Sequence, residues 1–239
     1  MHIDREEFLR YLGWKGQETD DTLVQKMDDA AKRALELSAP RSAVRRFALD
    51  GEWRLIGTDF VLQGQDIRAH LDGCREIFLM AATVGSAPER ELMRLTEKNA
   101  YEALLFDTAC SCAIECYCDE ICDDLQKDCP TALTTRFSCG YGDFPLEAQR
   151  DICRILRTDT QIGLCCDESY LLTPRKSVTA VVGITSSPAP QKPQGCGHKC
   201  GGCNKKDCAF RKKLSGSATA NHKHRPLPPR AQPIADGRF

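Results

Sequence analysis

The chain has 239 residues, with 33 Lys+Arg against 34 Asp+Glu and a formal charge of -1. That length fits one ordinary domain, or one domain plus appendages, and 41% hydrophobic residues can furnish a core. No apolar run approaches the roughly 20 residues that span a bilayer, and the near-neutral charge argues against a general nucleic-acid binder.

In chain order, residues 4–13 and 20–38 read as helices. In the second, Leu23, Met27, Ala30, Ala31, Ala34, Leu35 and Leu37 recur at helical spacing before Pro40. Residues 42–49 and 52–63 flank Asp50-Gly51, a hairpin signal. Residues 65–72 suit a short helix. Arg75–Thr83 is expected to be a buried strand closed by Val84-Gly85. Residues 87–97 and 99–127 form two helices, and 131–137 suit a strand. Asp143-Phe144-Pro145 opens a helix that runs to about Leu156, with Pro at an early position. Ser177–Thr185 is a β-branched strand. Strands and helices mixed with a hairpin predict an α+β fold, with a mixed, mainly antiparallel sheet and packed helices. The organisation expected is a folded domain over 1–186, a linker at 187–194, a Cys-rich metal-binding segment at 195–211 and a disordered basic tail at 212–239. Residues 211–239 carry seven Lys/Arg and one Asp, so the chain is electrically lopsided. That tail is either solvated or steers the protein toward an acidic partner surface.

Fifteen cysteines are an odd number and high usage. The charged start, MHIDREEFLRYLGW, has no apolar signal core, so a cytoplasmic location and free thiols or metal ligands are expected. Cys196, Cys200, Cys203 and Cys208 lie among glycines in GCGHKCGGCNKKDC, where four thiolates can wrap one ion or cluster. Zinc and an iron–sulfur cluster are both chemically allowed there. The first three cysteines have the spacing of radical S-adenosylmethionine enzymes, but that motif belongs early in a long barrel, and here about 30 residues follow. His198 is read as exposed. Cys112/Cys116 and Cys118/Cys122 are i, i+4 pairs that, with Cys110, read as small buried packing residues, a redox or metal role being the alternative.

The segment T-R-F-S-C-G-Y-G-D-F-P-L (135–146) combines an Arg fork, two close glycines and a Tyr ring. Arg136 suits a carboxylate or phosphate, and Gly140 and Gly142 allow close backbone approach. A small anionic ligand with a flat ring fits, and so does a plain strand-to-helix turn.

This run resembles the R-x-[SA]-P-G-Y-x-x-x-P signature of the activation domain of cobalamin-dependent methionine synthase. Leu79–Gly85, Leu105–Glu115 and Leu172-Thr173-Pro174 with Ser177–Ala180 resemble further motifs of that family in the same order, over roughly 75–185. The resemblance implies binding of S-adenosylmethionine and methyl delivery to a corrinoid held by a partner, to restore cobalamin that has oxidised. It implies that Arg136 grips the methionyl carboxylate, that Ser138 and Gly140 meet the ligand through backbone, that Tyr141 lies beside it, and that Glu115 approaches its cationic end. Asp107, two helical turns before Glu115, is either a further ligand group or a helix-surface Asp. Cys139 replaces the family's Pro. The family's other ligand contacts, near its N-terminus and in a C-terminal Tyr segment, have no visible counterpart. The chain lacks corrinoid, folate and homocysteine modules. A free-standing activator is therefore implied, with a corrinoid-binding methyltransferase (a methionine synthase lacking its own activation domain) and an electron donor as partners. Two readings from other classes compete: an iron–sulfur electron-transfer protein, and a zinc-stapled, non-catalytic assembly module.

Overall fold

The computed structural model describes residues 1–14, 16 and 20–188. The linker beyond 188, the Cys-rich segment and the tail lie outside the described residues. Helices α1 (Arg5–Tyr11) and α2 (Asp21–Leu37) each begin at an Asp whose carboxylate accepts a backbone N–H of the first turn, Asp4 from Glu7 and Asp20 from Leu23. Strand β1 (Arg41–Ala48) follows, then α3 (Gln65–His70), β2 (Glu76–Thr83), α4 (Ala87–Lys98) and the long α5 (Ala100–Asp128). Asn99 caps α5 by accepting from the Tyr101 and Glu102 amides. Strands β3 (Thr131–Leu133) and β4 (Phe137–Ser138), helices α6 (Ala148–Leu156) and α7 (Thr158–Ile162), a small β5–β6 pair (Cys165–Cys166, Leu172–Thr173) and β7 (Ser177–Pro188) complete the order.

The main sheet runs β1-β2-β7-β3, with β4 also on β7, and every pairing is antiparallel. The central strands are covered on both faces, which is why β2 reads as a nearly continuous apolar run rather than a half-polar alternation. Ile77, Leu79, Ala81 and Val181 point into one core with α6 residues Ile152 and Ile155 and with Ile67 of α3. Met80, Ala82, Ala180 and Val182 point into the other, against Ala113, Ile114, Cys118 and Ile121 of α5. The N-terminal half of α5 also packs against α1 and α2 through Phe8, Met27, Phe106 and Ala109. Helix α5 therefore lies between the sheet and the other helices over much of its length, while Glu115, Asp119, Glu120 and Asp124 stay partly or fully exposed along its second half.

Three local expectations change. The run 52–63 does not form a strand: Asp50 caps a tight turn, accepting from the Glu52 and Arg54 amides, and only isolated bridges follow. Its apolar residues Leu55, Phe60 and Leu62 are buried as a folded loop, while β1 pairs with β2 instead. The helix after Pro145 begins at Ala148, because residues 141–147 are held in turns. The strand expected at 131–137 breaks in two. Leu133 faces Ile184 and Phe137 faces Val181, so four steps on this strand answer three on β7. That extra residue is a bulge. The bulge also changes faces: Leu133 packs on the α5 side and Phe137 on the α6 side, though residues four apart on a regular strand share a face.

Candidate functional site

The bulge decides where Arg136 goes. In an unbroken strand Arg136 would point away from the face of Leu133; displaced by one residue, it points toward α5. There its side chain is 1% exposed. Its Nη2 donates to Glu115 Oε2 at 2.8 Å and its Nη1 to Asp119 Oδ1 at 2.6 Å. Glu115 and Asp119 are one helical turn apart, so they share a face of α5 and straddle the planar guanidinium. Burial opposes the Arg136 charge, but Cys118, Asp119 and Glu115 hold its pKa above the ordinary arginine value. The two carboxylates keep about a third of their side-chain surface in water, 32% and 36%. The Arg136 Nε is buried and has no hydrogen-bond partner among the described residues. A covered donor of this kind costs free energy until something accepts from it.

The negative charge extends along the helix. Asp123, a further turn on, has its carboxyl pushed up by burial and then by the Asp119 carboxylate. The C-terminal end of α1 approaches from the other side. The Tyr11 phenol is pushed up by burial and by the Glu115 carboxylate, and the Arg10 guanidinium lies 4.4 Å from the Tyr11 ring centre. The terminal ammonium of Met1 pairs with Glu120 at 2.8 Å. So the N-terminal residues border this stretch of α5, a role that no motif in the sequence signals.

The other expected residues follow directly in the chain. Ser138 is in β4, paired with Ala180. Gly140 has φ +81 and donates from its amide to the Phe144 carbonyl at 2.9 Å, and a Cβ there would lie 3.4 Å from a Leu146 methyl. Tyr141 is 55% exposed, edge-on to Phe137 with ring centres 6.4 Å apart. Cys139 is buried, accepts from the Thr179 hydroxyl at 3.8 Å, and burial pushes its thiol up to about 12. The structure thus brings Arg136 and Glu115 into direct contact, sets Tyr141 at the surface five residues on, and adds Asp119, which sequence reasoning missed. The i, i+4 spacing of Glu115 and Asp119 was the available signal.

Asp107 stands apart from this group. It pairs with Lys176 at 2.8 Å, and Lys176 also donates to the Ser111 hydroxyl. It borders a cleft of about 160 Å³ with Pro88, Leu92, Cys110 and Arg175. The helix cysteines divide as packing residues do: Cys110, Cys112, Cys118 and Cys122 are buried and Cys116 is half-buried. Burial pushes the Cys110 and Cys112 thiols up to about 12. Among the described residues no group of three or more His, Cys, Asp or Glu side chains is placed to hold a metal ion. Cys196, Cys200, Cys203 and Cys208 lie outside the described residues. No described helix is long and apolar enough to cross a membrane.

No protein-family model matches the chain, and no curated protein matches it. Among solved structures, it is similar to the crystal structure of the MetH reactivation domain bound to AdoHcy. The TM-score is 0.55 at 14% identity, over 81% of this chain and 76% of that one. The chain therefore shares the fold of that reactivation domain, which agrees with the motifs found between residues 75 and 185.

Proposed function

We propose that the protein is an S-adenosylmethionine-binding activator. It would support reductive methylation of the corrinoid of a methyltransferase, in the first place a cobalamin-dependent methionine synthase without its own activation domain. The observation that carries this reading is the buried Arg136, clasped by Glu115 and Asp119 immediately before the Gly-Tyr-Gly turn, in a chain with the reactivation-domain fold.

The chemistry of the residues present supports this reading. The Arg136 Nε is an unfilled donor behind Glu115 and Asp119, so a ligand carboxylate reaches it only where that clasp opens. The part of the cluster that reaches water is the pair of carboxylates, not the guanidinium, so a ligand meets negative charge first. A cationic ammonium or sulfonium is attracted to that surface, and Glu115 is the group nearest to such a role. The backbone of Ser138 and Gly140 sits beside the turn, where glycine permits close approach. Tyr141 offers a solvent-facing ring and a hydroxyl. The chemistry that bound S-adenosylmethionine supplies is an electrophilic methyl group; the chain's own residues bind and orient it.

The corrinoid stays with the partner, and an electron donor completes the system. Cys196, Cys200, Cys203 and Cys208 are proposed as a four-thiolate site, for an iron–sulfur cluster that relays the electron or for a zinc staple. Calorimetric titration of anaerobically purified protein with S-adenosylmethionine tests the reading. Saturable binding by the intact chain, lost in Arg136→Ala, is the expected result. Absence of binding by the intact, folded chain overturns it.

A further inference from the structure

Helix α3 begins at Gly64, which has φ +111 and no side chain with which to cap its own helix. The cap comes from 77–78 residues away. The Gln65 amide donates to Asp143 Oδ2 at 2.5 Å and the Asp66 amide to Asp143 Oδ1 at 2.9 Å. The exchange is mutual, because the Asp143 amide donates to Asp66 Oδ2 at 3.3 Å. Each aspartate thus satisfies the other's backbone, which is the logic of a capping box spread over two distant segments.

Glycines on both sides make room for this contact. A Cβ at Gly64 would lie 2.5 Å from Asp143 Oδ1 and 2.8 Å from the Asp143 carbonyl oxygen. A Cβ at Gly142, where φ is +53, would run into the Asp66 carboxylate. The far end of α3 holds the same segment a second time. His70 Nε2 donates to the Thr135 carbonyl at 2.8 Å, and its ring lies 5.1 Å from the Phe137 ring. One short helix therefore grips the chain before Arg136 and after Tyr141.

We propose that Asp66 and Asp143 are positioning residues: through their reciprocal backbone caps α3 braces the 139–143 turn and sets Tyr141 in its ligand-binding place. This rests on the reading of that turn as an S-adenosylmethionine site. Neither aspartate touches the ligand. Their part is to remove the freedom that the turn's two glycines would otherwise have, so that ordering the turn is not charged against binding.

The test is a double-mutant cycle in the full-length protein, with S-adenosylmethionine affinity and thermal stability measured on each variant. Asp143→Ala removes the acceptor of two N–H groups and is expected to weaken affinity about tenfold, the scale of a lost cap. Asp143→Asn, which keeps one acceptor oxygen, restores part of that loss. In the Tyr141→Ala background, Asp143→Ala should cost no further affinity while costing the same stability. A purely structural Asp143 gives the opposite pattern, with affinity losses that add, and that result overturns the proposal. Wild-type affinity in a folded Asp143→Ala also overturns it. If that variant does not fold, Asp66→Ala removes only the longer bond, and the same cycle with Tyr141→Ala decides. An intact chain without affinity refutes the ligand assignment itself, before any variant is compared.

Discussion

Replacing Arg136 by Met isolates the charge of the buried guanidinium at nearly constant volume. Two ion pairs disappear, at 2.8 and 2.6 Å, and Glu115 and Asp119 face each other without a cation between them. Removing one partner of a fully buried pair costs about 3–5 kcal/mol. Exposed pairs are worth about 0–1 kcal/mol each. Here the cation is buried and the anions keep roughly a third of their surface, so water relieves part of the penalty. The loss of the unfilled Nε is a small gain. The balance is a destabilisation of about 2–3 kcal/mol, between those two limits. For a domain of this size that lowers Tm by about 4–12 °C. Urea unfolding at neutral pH reads it as a lower midpoint with unchanged slope. Arg136→Lys should recover little, since one ammonium cannot hold two carboxylates in the geometry of a planar fork. Adding Glu115→Gln and Asp119→Asn to Arg136→Met should return most of the stability, because the repulsion goes with the charges. A stable Arg136→Met single variant, or a triple variant no better than the single, would show that the carboxylates do not depend on the guanidinium.

The remaining predictions address acid, thiols and packing. The Asp143 carboxyl is held below the ordinary aspartate value, about 3.9, chiefly by the Gln65 and Asp66 amides. Its contribution to the turn is therefore complete above about pH 4 and is lost as the pH falls through the lowered value, with Asp66 and Arg68 the neighbouring charges. Amide exchange at Gln65 and Asp66, expressed as protection relative to the intrinsic rate at each pH, should hold down to about pH 4 and fall below it, a change absent in Asp143→Asn. Iodoacetamide should label exposed Cys165 first among the described cysteines and leave native Cys110, Cys112, Cys139 and Cys153 untouched, their thiols being pushed up by burial to about 11–12. Peptide mass spectrometry that finds Cys110 or Cys112 labelled as fast as Cys165 would contradict the packing role of α5. Gly183→Ala should destabilise by about 1–3 kcal/mol in a urea titration, since a Cβ there would lie 2.7 Å from both Cys74 Sγ and a Leu71 methyl. A neutral effect would mean that the α3 end of the core is loose.

Helix patterning carried much of the fold into view. Helix α2 was legible because apolar residues from Leu23 to Leu37 recur at helical spacing before Pro40. Strands β2 and β7 were legible as apolar β-rich runs. What failed to show depends on partners distant in sequence. The run 52–63 is as β-rich as a strand, yet the turn capped by Asp50 leaves it with only the isolated bridges Leu49–Leu55 and Arg54–Val61, and its apolar residues are buried as a loop. Helix α7 and the β5–β6 pair are too short to impose a period on the sequence.

The site divides in the same way. Arg136, Tyr141 and the glycines were visible as residue types, but their directions depend on one extra residue between Leu133 and Phe137. Because the side-chain period of a strand is two, that single residue exchanges the faces, sending the guanidinium toward α5 rather than toward the α6 side of the sheet. The glycines carry a related lesson. Gly140 and Gly142 read as room for a ligand, whereas the space at Gly142 is filled by the Asp66 carboxylate from within the chain. Gly142 thus answers to Gly64, its counterpart across the same contact, and neither could be interpreted alone. On the proposed reading, the part of the motif left to face a ligand is consequently smaller than the sequence suggests: the Tyr141 ring, the Ser138–Gly140 backbone and the one-third-exposed carboxylates on α5, with Arg136 behind them fixing where those carboxylates stand.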